Sequence, residues 1–218
     1  MNTSHQAPLH EPAPLAHAFD SEIFWEQNKS RILAAVAALL IGAAAVVSWL
    51  VYSSSTNAAA QKLLADAKDI PSLQAVIDTY PKTMPAADAI LQIAAAQRDA
   101  GDMEQSTAAF RDFLVRFPQH PLAGGALLGI AQNQDASGDT EAAIASCQQV
   151  VTQYPQSYAA PFAAYTEAEI LLRSFQRDEA RRSFNMIVSQ FPQSPAARMA
   201  TAQLGRLGAP TGNAAPAP

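Results

Sequence analysis

Tyr154-Pro155-Gln156-Ser157 decides how this chain is read, because its aromatic–proline pair has three counterparts: Tyr80-Pro81, Phe117-Pro118 and Phe191-Pro192. Successive pairs stand 37 residues apart. A fixed period of this size marks a solenoid, in which each unit buries its apolar face against a copy of itself. Other positions keep the register. Leu73, Phe110, Cys147 and Phe184 share one phase; Val76, Phe113, Val150 and Ile187 share another; Ile77, Leu114, Val151 and Val188 share the next. Gly101-Asp102 returns as Gly138-Asp139. In this reading the ring ends the second helix of each unit and packs in the seam with the following unit. The proline stops that helix and steers the chain into the next one.

The pattern predicts helices over 58–68, 71–80, 85–99, 103–117, 121–136, 140–153, 158–173, 177–190 and 195–207, in antiparallel pairs. Pro71 opens a first turn, Gly101 breaks a helix, and Asp102 with Gln105 reads as a capping box. Ser194-Pro195 is a start signal of the same kind. The expected fold class is all-α: one N-terminal transmembrane helix, then an α-solenoid.

The 218 residues carry a formal charge of −5 and are rich in alanine, with few aromatics. Such a composition suits closely packed helices with small contact residues. No basic stripe able to neutralise phosphates is visible, so nucleic acid is not an expected partner. The single cysteine, Cys147, excludes an intrachain disulfide. Its column otherwise holds Leu and Phe, which makes it a core residue rather than a reactive thiol.

Residues 1–22 read as a disordered cytoplasmic tail, and 208–218 as a second disordered tail. His5, His10 and His17 lie in the first; their spacing fits no compact metal geometry. Residues 23–53 form a juxtamembrane segment and a span, Ile32 to Tyr52, without a charged residue. At ~1.5 Å per residue that run matches a hydrocarbon core of ~30 Å. Trp25, Trp49 and Tyr52 stand near its ends, where aromatic rings favour the interface. Lys29 and Arg31 flank its N-terminal side and no basic residue lies between Ser53 and Gln61. The positive-inside rule then puts the N-terminus in the cytoplasm and residues 58–207 across the membrane. A buried core helix and a cleaved signal, with Ala58-Ala59-Ala60 as the cleavage region, are the alternatives.

Paired helices with a Gly-Asp turn, Ala143 with Cys147 and Ala180 with Phe184 in the second helix, and then aromatic–Pro resemble tetratricopeptide repeats. Tyr-Pro-Gln-Ser before an alanine-rich helix is similar to the repeats of the Tol–Pal coordinator and BamD. Phe24-Trp25-Glu26-Gln27-Asn28-Lys29, one span, then helical repeats resembles the YfgM-like ancillary subunits of the Sec translocon. The repeats are three residues longer than the usual 34. The resemblance implies a bacterial inner-membrane protein, single-pass, with periplasmic repeats. Its partners would be other proteins or peptides, among them translocon subunits and periplasmic chaperones.

Catalysis finds no support: His120 is the one histidine after the span, and no Ser/His/Asp set or phosphate-cradling loop appears. Glu167 and Glu169, two apart on a helix, face different ways. The protein is expected not to be an enzyme, with no cofactor and no metal. Carrying over the ligand-facing positions of tetratricopeptide repeats implies a groove lined by Leu91, Ala95, Arg98 and Asp99; by Leu128, Gln132 and Asp135; and by Phe162, Tyr165, Glu169 and Arg173. The last group is the strongest candidate for holding an apolar peptide, with packing of Phe162 and Tyr165 against the next helix as the alternative. Arg173, Arg177, Arg181 and Arg182 form a basic cluster, read as a solvated face paired in part with Asp178 and Glu179. The leading function is a membrane-tethered scaffold assisting translocation or periplasmic chaperoning. Two alternatives stay open. One is a cell-division or cell-wall coordinator, self-associating through Ala34, Ala38, Gly42 and Ala45 as a homo-oligomer. The other is a cleaved soluble periplasmic carrier.

Overall fold

The computed structural model describes residues 21–208. Of the tails expected at 1–22 and 208–218, residues 1–20 and 209–218, with His5, His10 and His17, lie outside the described residues, while Ser21 and Glu22 begin α1 and Gly208 ends α9 rather than being disordered. Nine helices and no strands occur among the described residues. They are α1 (Ser21–Asp66), α2 (Ile70–Thr79), α3 (Met84–Asp99), α4 (Met103–Arg116), α5 (Ala123–Ala136), α6 (Thr140–Gln153), α7 (Ala159–Arg173), α8 (Arg177–Gln190) and α9 (Pro195–Gly208). The chain divides into two compact units, Met1–Ser53 and Ser54–Pro218.

One boundary differs from expectation. A separate helix was predicted from Ala58, yet α1 runs unbroken from Ser21 to Asp66. Ser53, Ser54, Ser55, Thr56 and Asn57 are poor helix formers, but each costs only about 0.5 kcal/mol relative to alanine. None is proline or glycine, so nothing interrupts the ladder between two strongly helical flanks. In the first unit, side chains from Leu33 to Tyr52 are exposed.

In the second unit, α3 pairs with α4, α5 with α6, and α7 with α8, and each pair packs on the next. The four aromatic–proline pairs do one job in one geometry. Tyr80, Phe117, Tyr154 and Phe191 are the C-caps of α2, α4, α6 and α8, with φ between −131° and −124° and ψ between 48° and 55°. Three residues on, the N–H of Thr83, His120, Ser157 and Ser194 donates to the carbonyl of the ring residue, at 2.9 to 3.1 Å. The side chains at the same four positions accept from N–H groups at or just before the start of the next helix. Thr83 Oγ1, Ser157 Oγ and Ser194 Oγ accept from Ala86, Ala159 and Ala197 N–H, and His120 Nδ1 accepts from Leu122 N–H at 3.1 Å. The lone histidine after the span therefore closes the turn into α5, its ring edge-on to Phe113 at 5.2 Å.

The turns inside each pair use the complementary device. Gly101 and Gly138 take φ +82°, and Asp102 and Asp139 N–H reach back to the carbonyls of Gln97 and Gln134. This six-to-one bond closes a helix through a left-handed residue. Asp102 and Asp139 then accept from Gln105 and Ala142 N–H as N-caps of α4 and α6. The expected box at Asp102 forms on one side only, because Gln105 Oε1 accepts from Gln97 Nε2 instead. The two-sided box is Asp69 with Ser72 at α2, and those bonds hold the Asp69 carboxyl below its usual range.

In the third pair the left-handed residue is Phe175, at φ 64°, 37 residues after Gly138. Its bonds match those of the glycines, from Phe175 N–H to Leu172 and Gln176 N–H to Leu171. A Cβ in this region costs about 1 kcal/mol or more. The ring is 94% exposed, so no packing offsets that cost. Phe175→Gly is expected to raise stability by about 1 kcal/mol, read as a higher urea midpoint at unchanged slope.

Two of the three apolar columns are core throughout. Val76, Phe113, Val150 and Ile187 are fully buried; Leu73, Phe110, Cys147 and Phe184 are 0 to 8% exposed. Burial pushes the Cys147 thiol up to about 12, which keeps it protonated. In the third column only Ile77 is buried; Leu114, Val151 and Val188 are half-buried. Alanine triplets at the same period, such as Ala86, Ala123, Ala160 and Ala94, Ala131, Ala168, are fully buried and let the helices approach closely.

Candidate functional site

The groove positions fall on α3, α5 and α7. Their side chains act mainly as ties between successive repeats. From α3, Arg98 reaches α5. Its Nε donates to Asn133 Oδ1 at 2.7 Å, Nη1 to Gln132 Oε1 at 3.0 Å and Nη2 to the Gly129 carbonyl at 2.7 Å. The guanidinium also lies over the Phe110 ring, 5.2 Å from its centre. Gly129 makes this approach possible, since a Cβ there would come within 2.7 Å of the Phe110 ring and 3.1 Å of Arg98 Nη2.

Asn133, 1% exposed, is the hub of this cluster. Its Nδ2 donates to Ser106 Oγ at 2.9 Å and to Thr107 Oγ1 at 3.1 Å. One amide thus joins α3, α4 and α5. Next along, Arg173 Nη2 donates to both carboxylate oxygens of Asp135, at 2.7 and 2.6 Å, joining α7 to α5. Tyr165 is 7% exposed, its ring 5.6 Å from that of Phe184, and its hydroxyl accepts from Gln203 Nε2 at 3.2 Å, joining α7 to α9.

The remaining candidates divide by burial. Leu128 is buried, and Leu91 and Phe162 are half-buried against the core. Ala95, Asp99 and Gln132 are exposed, and Glu169 is half-buried. Phe162, Tyr165, Glu169 and Arg173 do share α7, but two of the four are already engaged by neighbouring repeats. The exposed side chains of α3, α5 and α7 are few: Met84, Gln92, Ala95 and Asp99 on α3, Gln132 and Ala136 on α5, and Arg173 on α7.

Glu167 went unassigned in the sequence reading beyond its separation from Glu169. It sits in the column of Ile93 and Ile130 yet is 9% exposed. Gln148 Nε2 donates to its Oε1 at 2.8 Å, and burial raises its carboxyl above the usual range. A charge in an isoleucine column is the signal that identifies it. Among the described residues, no three His, Cys, Asp or Glu side chains gather as a metal set would require.

Two family models, each described as a tetratricopeptide repeat, match residues 136–204 and 88–120. Over those residues the chain matches tetratricopeptide repeats. Its fold is similar to a tetratricopeptide repeat protein from Parabacteroides merdae at 17% identity, covering 71% of this chain and 59% of that one, with a TM-score of 0.51. It is also similar to a putative kinesin light chain with nearly identical TPR-like repeats from Podosopora anserina, at 14% identity, 71% and 84% coverage and a TM-score of 0.50. No curated protein matches the chain in sequence. Repeats of this kind serve as protein–protein interaction scaffolds, presenting an extended surface to other proteins or peptides. α1 adds a helix long and apolar enough to cross a membrane.

Proposed function

We propose that this chain is a membrane-tethered interaction scaffold of the bacterial envelope, with its repeats on the outer face of the inner membrane. The observation that carries the proposal is the uncovered apolar surface of α1. Leu39, Ile41 and Trp49 are 65 to 71% exposed, on a helix that is apolar on every side between Ile32 and Tyr52. A helix hydrophobic all round belongs in a core or in lipid. Lys29 and Arg31 on its N-terminal flank favour a cytoplasmic N-terminus. Tethering raises the effective concentration of the repeats near the membrane, so weak contacts to clients suffice. The resemblance of residues 24–52 and the repeats to ancillary translocon subunits makes translocon components and periplasmic chaperones the partners proposed. Residues 58–207 form the interaction domain; of the groove positions, Leu91, Arg98, Gln132, Phe162, Glu169 and Arg173 keep surface to offer a partner, whereas Leu128 and Tyr165 are buried.

Protease added to spheroplasts is expected to digest the repeats while intact cells protect them, and alkaline carbonate is expected to leave the chain in the membrane pellet. Deletion of residues 1–57 after an unrelated secretion signal is expected to release the repeats into the periplasmic fraction. Repeats resistant in spheroplasts, or an intact mass lacking residues 1–60, would overturn the proposal.

A further inference from the structure

The turn at Phe175 is built against its own fold. Its two counterparts pair a left-handed glycine with an aspartate cap, followed one residue later by a helix whose first turn holds Glu104 or Glu141. Here phenylalanine replaces glycine, Gln176 makes no side-chain cap bond, and Arg177 occupies the first helical position of α8. Two of these changes work against local stability, a Cβ in the left-handed region and uncapped N–H groups, while Asp178 and Glu179 offset Arg177 in the first turn of α8. Two such departures at one turn point to a demand other than folding.

The charge changes sign at the same place. The ten residues from Asp99 hold Asp99, Asp102 and Glu104 and no cation, and the ten from Ala136 hold Asp139 and Glu141 and no cation. The ten from Arg173 hold four arginines against Asp178 and Glu179. One end of the stacked pairs therefore reads acidic, acidic, basic, with an exposed ring on the basic turn. Between the two acidic turns lies a cleft of about 180 Å³, its lining including Met103, Glu104, Thr107 and Asp139, with Arg111 the one cation.

We propose that this end docks on a second copy of the chain. Phe175 of one copy enters the cleft between the acidic turns of the other, and Arg177 meets Glu104 and Asp139 beside it. Ring and cleft lie along the same end, so a two-fold axis satisfies both contacts at once, as a closed isologous dimer requires. A lipid surface fits less well, because the ring stands alone between Ser174 and Gln176, with no second apolar side chain beside it to enter a bilayer. The inference needs neither the membrane tether nor the groove, and extends the scaffold to a paired one.

The test is the protein mass of the full-length chain in detergent, by light scattering across a concentration series. The wild type is expected to dimerise. Phe175→Gly and Arg177→Glu are each expected to weaken dimerisation at least tenfold. Phe175→Gly relieves the left-handed backbone and Arg177→Glu is an exposed change at a helix start, so misfolding would not explain the loss, and circular dichroism verifies the fold. Glu104→Arg is expected to weaken it similarly, and Arg177→Glu combined with Glu104→Arg to recover it. A wild type monomeric at every concentration would assign the ring to another occupant, a different protein or a bilayer, and overturn the proposal. A dimer indifferent to Phe175→Gly, as association through α1 would give, overturns it as well. A dimer sensitive to Phe175→Gly and indifferent to Glu104→Arg removes the cleft as the socket.

Discussion

Phe113→Ala lowers the stability of the repeat unit by about 4 kcal/mol, the usual range for deleting a fully buried ring that leaves a cavity. Phe113 has no exposed surface. It packs against the Phe117 ring at 5.8 Å and the His120 ring at 5.2 Å. Those two residues form the turn into α5, one as the C-cap of α4 and the other as the acceptor that closes the turn. The truncation therefore empties a core site and loosens the joint between two repeats. Because a solenoid is stabilised by nearest-neighbour interfaces, damage at one joint spreads to the units on both sides. Urea unfolding followed by circular dichroism measures it. A loss under 1.5 kcal/mol would mean that the column of Val76, Phe113, Val150 and Ile187 is not the core of the stack. Phe113→Leu, which preserves most of the volume, is expected to cost far less.

The stack itself was legible because its signals are local and repeated. The aromatic–proline pairs end helices by removing a donor and fixing φ, whatever surrounds them. The apolar columns follow from the period alone. The ties between repeats were not legible in the same way. Arg98 finds Gly129, Gln132 and Asn133, and Arg173 finds Asp135, across 31 to 38 residues of chain. Which atoms meet at that separation depends on how one repeat is rotated on the next, and no local pattern encodes that rotation. The spacing of Phe162, Tyr165, Glu169 and Arg173 on one helix could be read directly; the burial of Tyr165 under Phe184 and Gln203 could not. His120 shows the opposite case. Its position, three after Phe117, matches Thr83, Ser157 and Ser194, so its role as a turn-closing acceptor follows from aligning the turns as well as the cores. Phe175 was equally in register with two glycines, and its left-handed backbone follows from that alignment. The continuity of α1 was missed because a polar cluster at Ser53–Asn57 resembles a linker, although none of its residues can break a helix.

Asn133→Ala is expected to cost about 3 kcal/mol, more than the few atoms removed would suggest, because it strands partners on two other helices. Ser106 Oγ, with no exposed surface, loses the donor from Nδ2. Arg98 loses the acceptor of its Nε, the shortest bond it makes to a side chain, while remaining half-buried against Phe110. Burial already lowers the Arg98 pKa from its ordinary value, a sign that its charge is only partly solvated. A half-buried cation short of an acceptor is costly where a fully exposed one is not. The double variant Arg98→Met with Asn133→Leu isolates this effect. Removing both the charge and the amide leaves less to be stranded, so the pair should cost less than the two single substitutions added together, by about 1 kcal/mol or more. Strict additivity would mean that Arg98 and Asn133 do not share one network, and the polar tie from α3 to α5 would then contribute nothing beyond its packing.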